Sequence, residues 1–247
     1  VAAQIPISPG NVHILESIDF ETGHNFRLTP GDALVALLRP EELECRGRRS
    51  TFVELLTTDE RERLARYRFP RDQDVYLAAH GLLRLMLSWH EGGDPRAWRF
   101  RAGQFGRPEI ESPASRLRFS ISHTRGIAAC AVGIDHDIGL DVETVTSAAP
   151  LEVAEHYFSP REQHDLRQLR SQDQSARFFT YWTLKEAYLK ARGFGLSMPL
   201  DRFSFFEDGD EWRIAFEPPF TDDPARWRFW SWNVGETYRA ALASTSV

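Results

Sequence analysis

Two acidic residues two positions apart, Asp141 and Glu143 in Gly139-Leu140-Asp141-Val142-Glu143, have a spacing that bears on chemistry. In a strand, alternate side chains share a face, so both carboxylates project together while Leu140 and Val142 face the other way. Like charges on one face repel, and a hard divalent cation is a common reason to gather them; a water-facing strand surface is the alternative. A second set lies in Trp182-Thr183-Leu184-Lys185-Glu186-Ala187-Tyr188-Leu189-Lys190. At helical spacing Glu186 and Lys190 share a face. They form either a helix-surface ion pair, contributing about 0.3–0.5 kcal/mol, or a carboxylate and an ammonium beside a metal, serving as general base and charge-neutralising acid for phosphoryl chemistry. The choice of cation bears on this. Of 30 basic residues only Lys185 and Lys190 are lysines. Lysine can release a proton at accessible pH and arginine effectively cannot, so two lysines kept here hint at proton chemistry.

Three further segments carry weaker signals. Phe119-Ser120-Ile121-Ser122-His123-Thr124 places a hydroxyl and an imidazole where a strand ends, as an anion site or as an ordinary strand end. A Ser-His hydrolase is excluded, because adjacent strand residues point to opposite faces and no G-x-S-x-G elbow is present. Phe105-Gly106-Arg107-Pro108 is a turn that can present a cation to a phosphate. Gly193-Phe194-Gly195-Leu196 follows a helix instead of opening one, so it reads as a helix stop and not as a phosphate loop.

The elements that must position these residues follow from periodicity. Val12–Leu15 reads as a first strand. Thr58-Asp59-Glu60-Arg61 looks like a capped helix start, with Pro70 as an interruption. Tyr76–Trp89 has helical spacing with Gly81 as its one breaker, predicting a long core helix. Arg118–Cys130 alternates and runs into the apolar Ile127–Ile134, and Ile138–Val145 resumes alternation, which predicts a hairpin across Gly133–Asp137. Ser159-Pro160-Arg161-Glu162 opens a charged helix, and Ala176–Arg192 forms a second long helix stopped at Gly193. Four strands are expected at Phe203–Phe206, Trp212–Phe216, Trp227–Trp232 and Thr237–Ala243. The order of strand, long helix and strands occurs twice, which suggests two similar α+β halves, 1–134 and 135–247, without sequence self-similarity between them.

Composition narrows the function classes. The chain's 247 residues, 42% hydrophobic and 27% charged, are those of a soluble globular protein, and no apolar run is long enough to span a membrane. The net charge of −6 argues against a nucleic-acid binder. Cys45 and Cys130 lack metal-ligand spacing and read as free thiols of a reducing, cytoplasmic protein.

Taken in order, these segments resemble the Sfp-type 4′-phosphopantetheinyl transferases. The likeness runs from Asn11-Val12-His13-Ile14 through Phe69–Arg84, the FGRP turn, FSISHT and GLDVE to WTLKEAYLKARGFGLSMPLDRFSF, and so covers most of the chain. The resemblance implies an α+β fold of two similar halves related by a pseudo-two-fold, each with a small antiparallel sheet packed on a long helix. It implies a monomer that binds coenzyme A and Mg2+ and acts on an apo acyl or peptidyl carrier protein, with no nucleic-acid or membrane partner. Asp141, Glu143 and Glu186 match the family's metal-binding carboxylates. Ser122 and His123 match positions that contact coenzyme A near its 3′-phosphate, and Arg107 stands where a cofactor-contacting lysine is frequent. Lys185 and Lys190 match the helix lysines, with Lys190 steadying the pyrophosphate. Asp72-Gln73-Asp74 departs from the arginines usual there, which leaves Arg71 to serve. The implied reaction is attack by a carrier serine on the β-phosphate of coenzyme A, releasing 3′,5′-ADP, with Glu186 and Lys190 catalytic. Two rival readings are a carrier-binding module without catalysis and a metal-dependent phosphodiesterase, which would not need the lysine-bearing helix. Arg161, Arg167 and Arg170 offer a face for an acidic carrier.

Overall fold

The computed structural model describes residues 12–16, 27–145, 149–195 and 198–245; Asn11, Leu196 and Ser197 of the motifs above lie outside them. The chain divides into two compact units. The first takes the described residues up to Gly103 with Pro108–His136, and the second takes Gln104–Arg107 with the described residues from Asp137 onward.

In the first unit β1 (Val12–Leu15) and β2 (Ala33–Leu38) lead into short helices α1 (Pro40–Cys45) and α2 (Arg49–Leu55). Helix α3 (Thr58–Arg66) starts one residue earlier than a Thr58 cap would place it. Thr57 is its N-cap, its hydroxyl accepting from the Glu60 N–H while Glu60 accepts from the Thr57 N–H at 2.9 Å. Helix α4 (Pro70–Glu91) begins at Pro70 itself, because proline has no N–H to lose in a first turn. Gly81 does not break α4. A Cβ there would come within 2.3 Å of the Phe52 ring, so glycine lets α2 pack flush against this helix. A two-stranded ribbon follows, β3 (Arg99–Ala102) with β4 (Pro108–Ser112), and then β5 (Leu117–Thr124) and β6 (Ile127–Ile134). The sheet order is β1-β2-β6-β5, antiparallel except for the parallel β1/β2 pair, and α4 lays Leu77, Leu82, Leu83, Met86 and Leu87 into the core it shares with that sheet.

The hairpin expected across Gly133–Asp137 is not formed. Strand β6 is buried along its whole length and already pairs with β2 on one edge and β5 on the other, so no edge remains for the strand that follows. The hairpin is β5–β6, turned at Arg125–Gly126.

That next strand, β7 (Ile138–Thr144), belongs to the second unit. After it come α5 (Leu151–Tyr157), α6 (Pro160–Gln168) and α7 (Ser171–Arg192), the ribbon of β8 (Phe203–Asp208) with β9 (Glu211–Phe216), and finally β10 (Trp227–Val234) and β11 (Tyr238–Thr245). The sheet order is β10-β11-β7, all antiparallel, so β7 pairs with the distant β11. Helix α7 buries Phe178, Tyr181, Leu184, Tyr188 and Leu189 in an aromatic-rich core with Phe158, Phe203, Phe205 and Trp227. Each unit therefore sets one 22-residue helix against a small sheet. Among the described residues no helix is long and apolar enough to cross a membrane.

Candidate active site

The site in the second unit is set by how closely β7 lies on α7. Gly139 faces the helix. A Cβ on it would stand 2.0 Å from the Ala187 carbonyl oxygen and 2.4 Å from the Ala191 nitrogen, so only glycine allows this approach. Side chains two and four residues on share that face, which turns Asp141 and Glu143 toward α7. The helix meets them with Trp182, Glu186 and Lys190, one stripe at i, i+4 spacing. Lys190 Nζ donates to Asp141 Oδ1 at 2.7 Å, and the Trp182 side chain hydrogen-bonds Glu143.

Three carboxylates in one partly buried place disfavour one another's charge. Burial, reinforced by Asp141 and Glu186, pushes the Glu143 carboxyl up to about 7 against the lowering effect of Lys190 and Trp182. Burial and Asp141 likewise raise Glu186, with Lys190 opposing. Among the described residues no three acidic, imidazole or thiol side chains converge as a finished metal cage, and Asp141 is engaged by Lys190. The donor set nonetheless suits a hard divalent cation: it is all carboxylate oxygen, and a single ammonium faces three acids that repel one another.

Lys185 has a task other than the expected cofactor contact. One residue from Glu186, it lies on a different face of the helix and has no solvent exposure. Its ammonium donates to the Leu200 and Phe203 carbonyls, each at 2.7 Å, and meets Glu162 Oε2 at 2.8 Å. All three donors are used inside the protein, so none is left for coenzyme A. Glu162 is itself buried, accepting from the Ser159 N–H at 2.9 Å, the Ser159 hydroxyl at 3.0 Å and the Phe205 N–H at 2.8 Å. Lys185 thus serves the packing of the second unit, its three donors shared between two carbonyls and one buried carboxylate.

Arg107 is also tied inward. It donates to the Ala191 carbonyl at 2.6 Å and to the Ile138 carbonyl at 3.2 Å, clamping the end of α7 to the start of β7. With Phe105 packed on Phe194, this places Phe105, Gly106 and Arg107 of the FGRP turn in the second unit.

In the first unit, Arg71 and His123 line one cavity of about 370 Å³ at the start of α4 and the end of β5. Tyr67, Asp72, Val75, Thr124, Arg125 and Gly126 complete its wall, so two arginines, an imidazole and two hydroxyl groups surround it together with one carboxylate, that of Asp72, which pairs with Arg71 at 3.6 Å. Ser122 is buried and is not among the residues that line it.

A family model described as the 4′-phosphopantetheinyl transferase superfamily matches residues 137–243, the span that carries β7, α7 and β11. The 4′-phosphopantetheinyl transferase HetI of Nostoc sp. is 37% identical over 145 residues, covering 58% of this chain and 61% of that protein. The 4′-phosphopantetheinyl transferase ffp of Bacillus subtilis is 32% identical over 183 residues, covering 73% of this chain and 78% of its own. The chain belongs to the 4′-phosphopantetheinyl transferase family. Members transfer the phosphopantetheine group of coenzyme A to carrier proteins. A solved structure, the holo-[acyl-carrier-protein] synthase of Thermotoga maritima, covers 44% of the chain and 62% of its own at 19% identity and a TM-score of 0.37.

In this transferase the sequence pattern located the two stripes that face each other but missed residues that complete them. Trp182 was legible, since it lies four positions before Glu186. Glu162 was half legible: Ser159-x-x-Glu162 announces a helix cap, and nothing local says that the same carboxylate reaches Lys185. Tyr67, Thr124 and Arg125 join Arg71 through the fold alone.

Proposed function

We propose that this transferase holds Mg2+ on Asp141, Glu143 and Glu186 and passes the 4′-phosphopantetheine group of coenzyme A to a serine of an apo acyl or peptidyl carrier protein, working as a cytoplasmic monomer. The observation that carries this reading is the meeting of the Asp141/Glu143 stripe with the Trp182/Glu186/Lys190 stripe, closed by the 2.7 Å Lys190–Asp141 bond. When bound, magnesium supplies charge neutralisation for the phosphoryl group in flight. The chain's own residues do the rest. The serine oxygen forms a bond to the β-phosphorus as the bond from that phosphorus to the bridging oxygen breaks, and 3′,5′-ADP leaves with the bonding pair. The serine proton passes to Glu186, directly or through one water; burial beside Asp141 raises the proton affinity of this carboxylate, as a base requires. Lys190 brings positive charge to the departing phosphate. Arg71 and His123, in their shared cavity, hold the 3′-phosphate, and Ser122 supports that strand end.

Glu186→Gln tests the reading. Turnover, measured as the mass gain of an apo-carrier together with 3′,5′-ADP release, should fall by orders of magnitude while coenzyme A binding by calorimetry persists. Wild-type turnover in this variant would remove Glu186 from the mechanism. Absence of both products from wild-type protein with magnesium and a panel of carriers would sink the transfer itself.

A further inference from the structure

The second unit carries another cavity, of about 370 Å³, that none of the residues above lines. Its walls come from the first half of α7, from β8 and β9, and from one face of β10 and β11. The volume lies in the lower range of small-molecule sites.

The charges around it do not balance locally. Asp173 is held by Arg170 at 2.7 Å, and Glu207 by Arg177 at 3.2 Å, so both acids in the wall have cationic partners. Arg177 lies over the Trp212 ring, 5.5 Å from its centroid, and has Asp165 as a second anion. Arg239 is different. Among the described residues no ion pair involves it, and its Nε is buried with no hydrogen-bond partner. Burial and the like charge of Arg177 both act against its ionised form. Arginine does not lose its proton to escape that penalty, so the charge stays and calls for an anion.

A second buried group without a partner points the same way. Ser231 Oγ lines this cavity and has no hydrogen-bond partner. In the β10–β11 register Ser231 faces Ala241 and Asn233 faces Arg239, so Ser231 and Arg239 are diagonal neighbours on one sheet face. Buried polar groups are ordinarily satisfied, and two orphaned ones side by side in a cavity wall mark a place built for a ligand. A water can bond the hydroxyl, but it cannot neutralise the guanidinium.

We propose that Arg239 and Ser231, with Arg177 alongside, bind a small oxyanion: inorganic phosphate or sulfate, or a molecule carrying the same group as a monoester with its organic part against Trp212. The site is separate from the proposed transfer chemistry and does not depend on it.

The test follows the arginine Nε–H resonances by ¹⁵N–¹H correlation during titration with sodium phosphate, sodium sulfate and phenyl phosphate. The protein carries Arg71→Gln, which removes one of the cations of the first unit's cavity, and only the Arg239 signal is read. The Arg239 Nε–H signal, assigned by its loss in Arg239→Gln, should shift saturably. A tighter constant for phenyl phosphate identifies a monoester site, and equal or weaker binding identifies a free-ion site; both support the proposal. Ser231→Ala should weaken binding about tenfold, the worth of one hydrogen bond to a charged group. It also stands in as the test if Arg239→Gln does not fold. Arg226→Gln, at an exposed position, should change nothing. No saturable response of the Arg239 signal to any of the three anions, or wild-type affinity in Ser231→Ala, would overturn the proposal.

Discussion

Replacing Lys185 by methionine separates a fold-holding lysine from a cofactor-binding one. The ammonium has no exposure and donates three bonds, to Leu200 O and Phe203 O at 2.7 Å and to Glu162 Oε2 at 2.8 Å. Methionine fills similar volume but strands two carbonyls and leaves the Glu162 charge with only the Ser159 and Phe205 donors. Removing one partner of a buried ion pair costs about 3–5 kcal/mol, and the loss of the Phe203 ring contact, 4.3 Å from Nζ, falls within that figure. For a chain of this size each kcal/mol moves the melting temperature by about 2–4 °C, so Tm should fall by about 6–20 °C. Thermal unfolding followed by circular dichroism measures this, and calorimetry well below Tm measures coenzyme A affinity, which should not change. Adding Glu162→Gln to Lys185→Met should recover part of the loss, because it removes the stranded charge. The reasoning is refuted if Lys185→Met melts with the wild type while coenzyme A binding weakens tenfold or more.

Other expectations follow from the same geometry. Gly139→Ala places a methyl 2.0 Å from the Ala187 carbonyl oxygen, so β7 must lift from α7; turnover should be lost and Tm should drop, and wild-type values for both would show that the close approach is not needed. Burial raises the Glu60 carboxyl, but the His80 hydrogen bond, the Thr57 N–H and the Arg84 charge outweigh it and hold it at about 2. A depressed carboxylate stabilises the fold above its unfolded value near 4.5 and loses that contribution as pH falls toward 2. The stability gap between wild type and Glu60→Gln, on the order of 3 kcal/mol at neutral pH, should therefore close across that window in urea titrations; a gap that stays constant with pH would count against the assignment.

What could be read before folding was whatever depends on period. Asp141 and Glu143 share a face because strands alternate, and Trp182, Glu186 and Lys190 share one because helices turn every 3.6 residues. Both stripes are where the pattern put them. Lys185 misled because it is one residue from Glu186, and a step of one residue along a helix is about 100° around it. Its partner Glu162 belongs to another helix, and no local rule links the two. The expected hairpin at Gly133–Asp137 failed for a similar reason: β6 and β7 each read correctly as strands, but pairing is decided by which edges are already taken. Arg107 read as a cation on a turn, and the fold gives at least two of its donors to the carbonyls of Ala191 and Ile138, which no local pattern announces.

The position of β7 has a consequence for how the protein is made. Among the described residues its pairing partner in the sheet is β11 alone, with Val142 set against Ala240 about a hundred residues later. Contacts so far apart in sequence form late, because a long loop must close before they repay its entropy. During synthesis the acidic stripe therefore emerges well before the strand that fixes it, while α7 can form from local contacts first. The acidic stripe takes its final place only with the closure of the β7–β11 ladder, so the metal binding proposed for it should appear in refolding together with that last step in assembling the second unit.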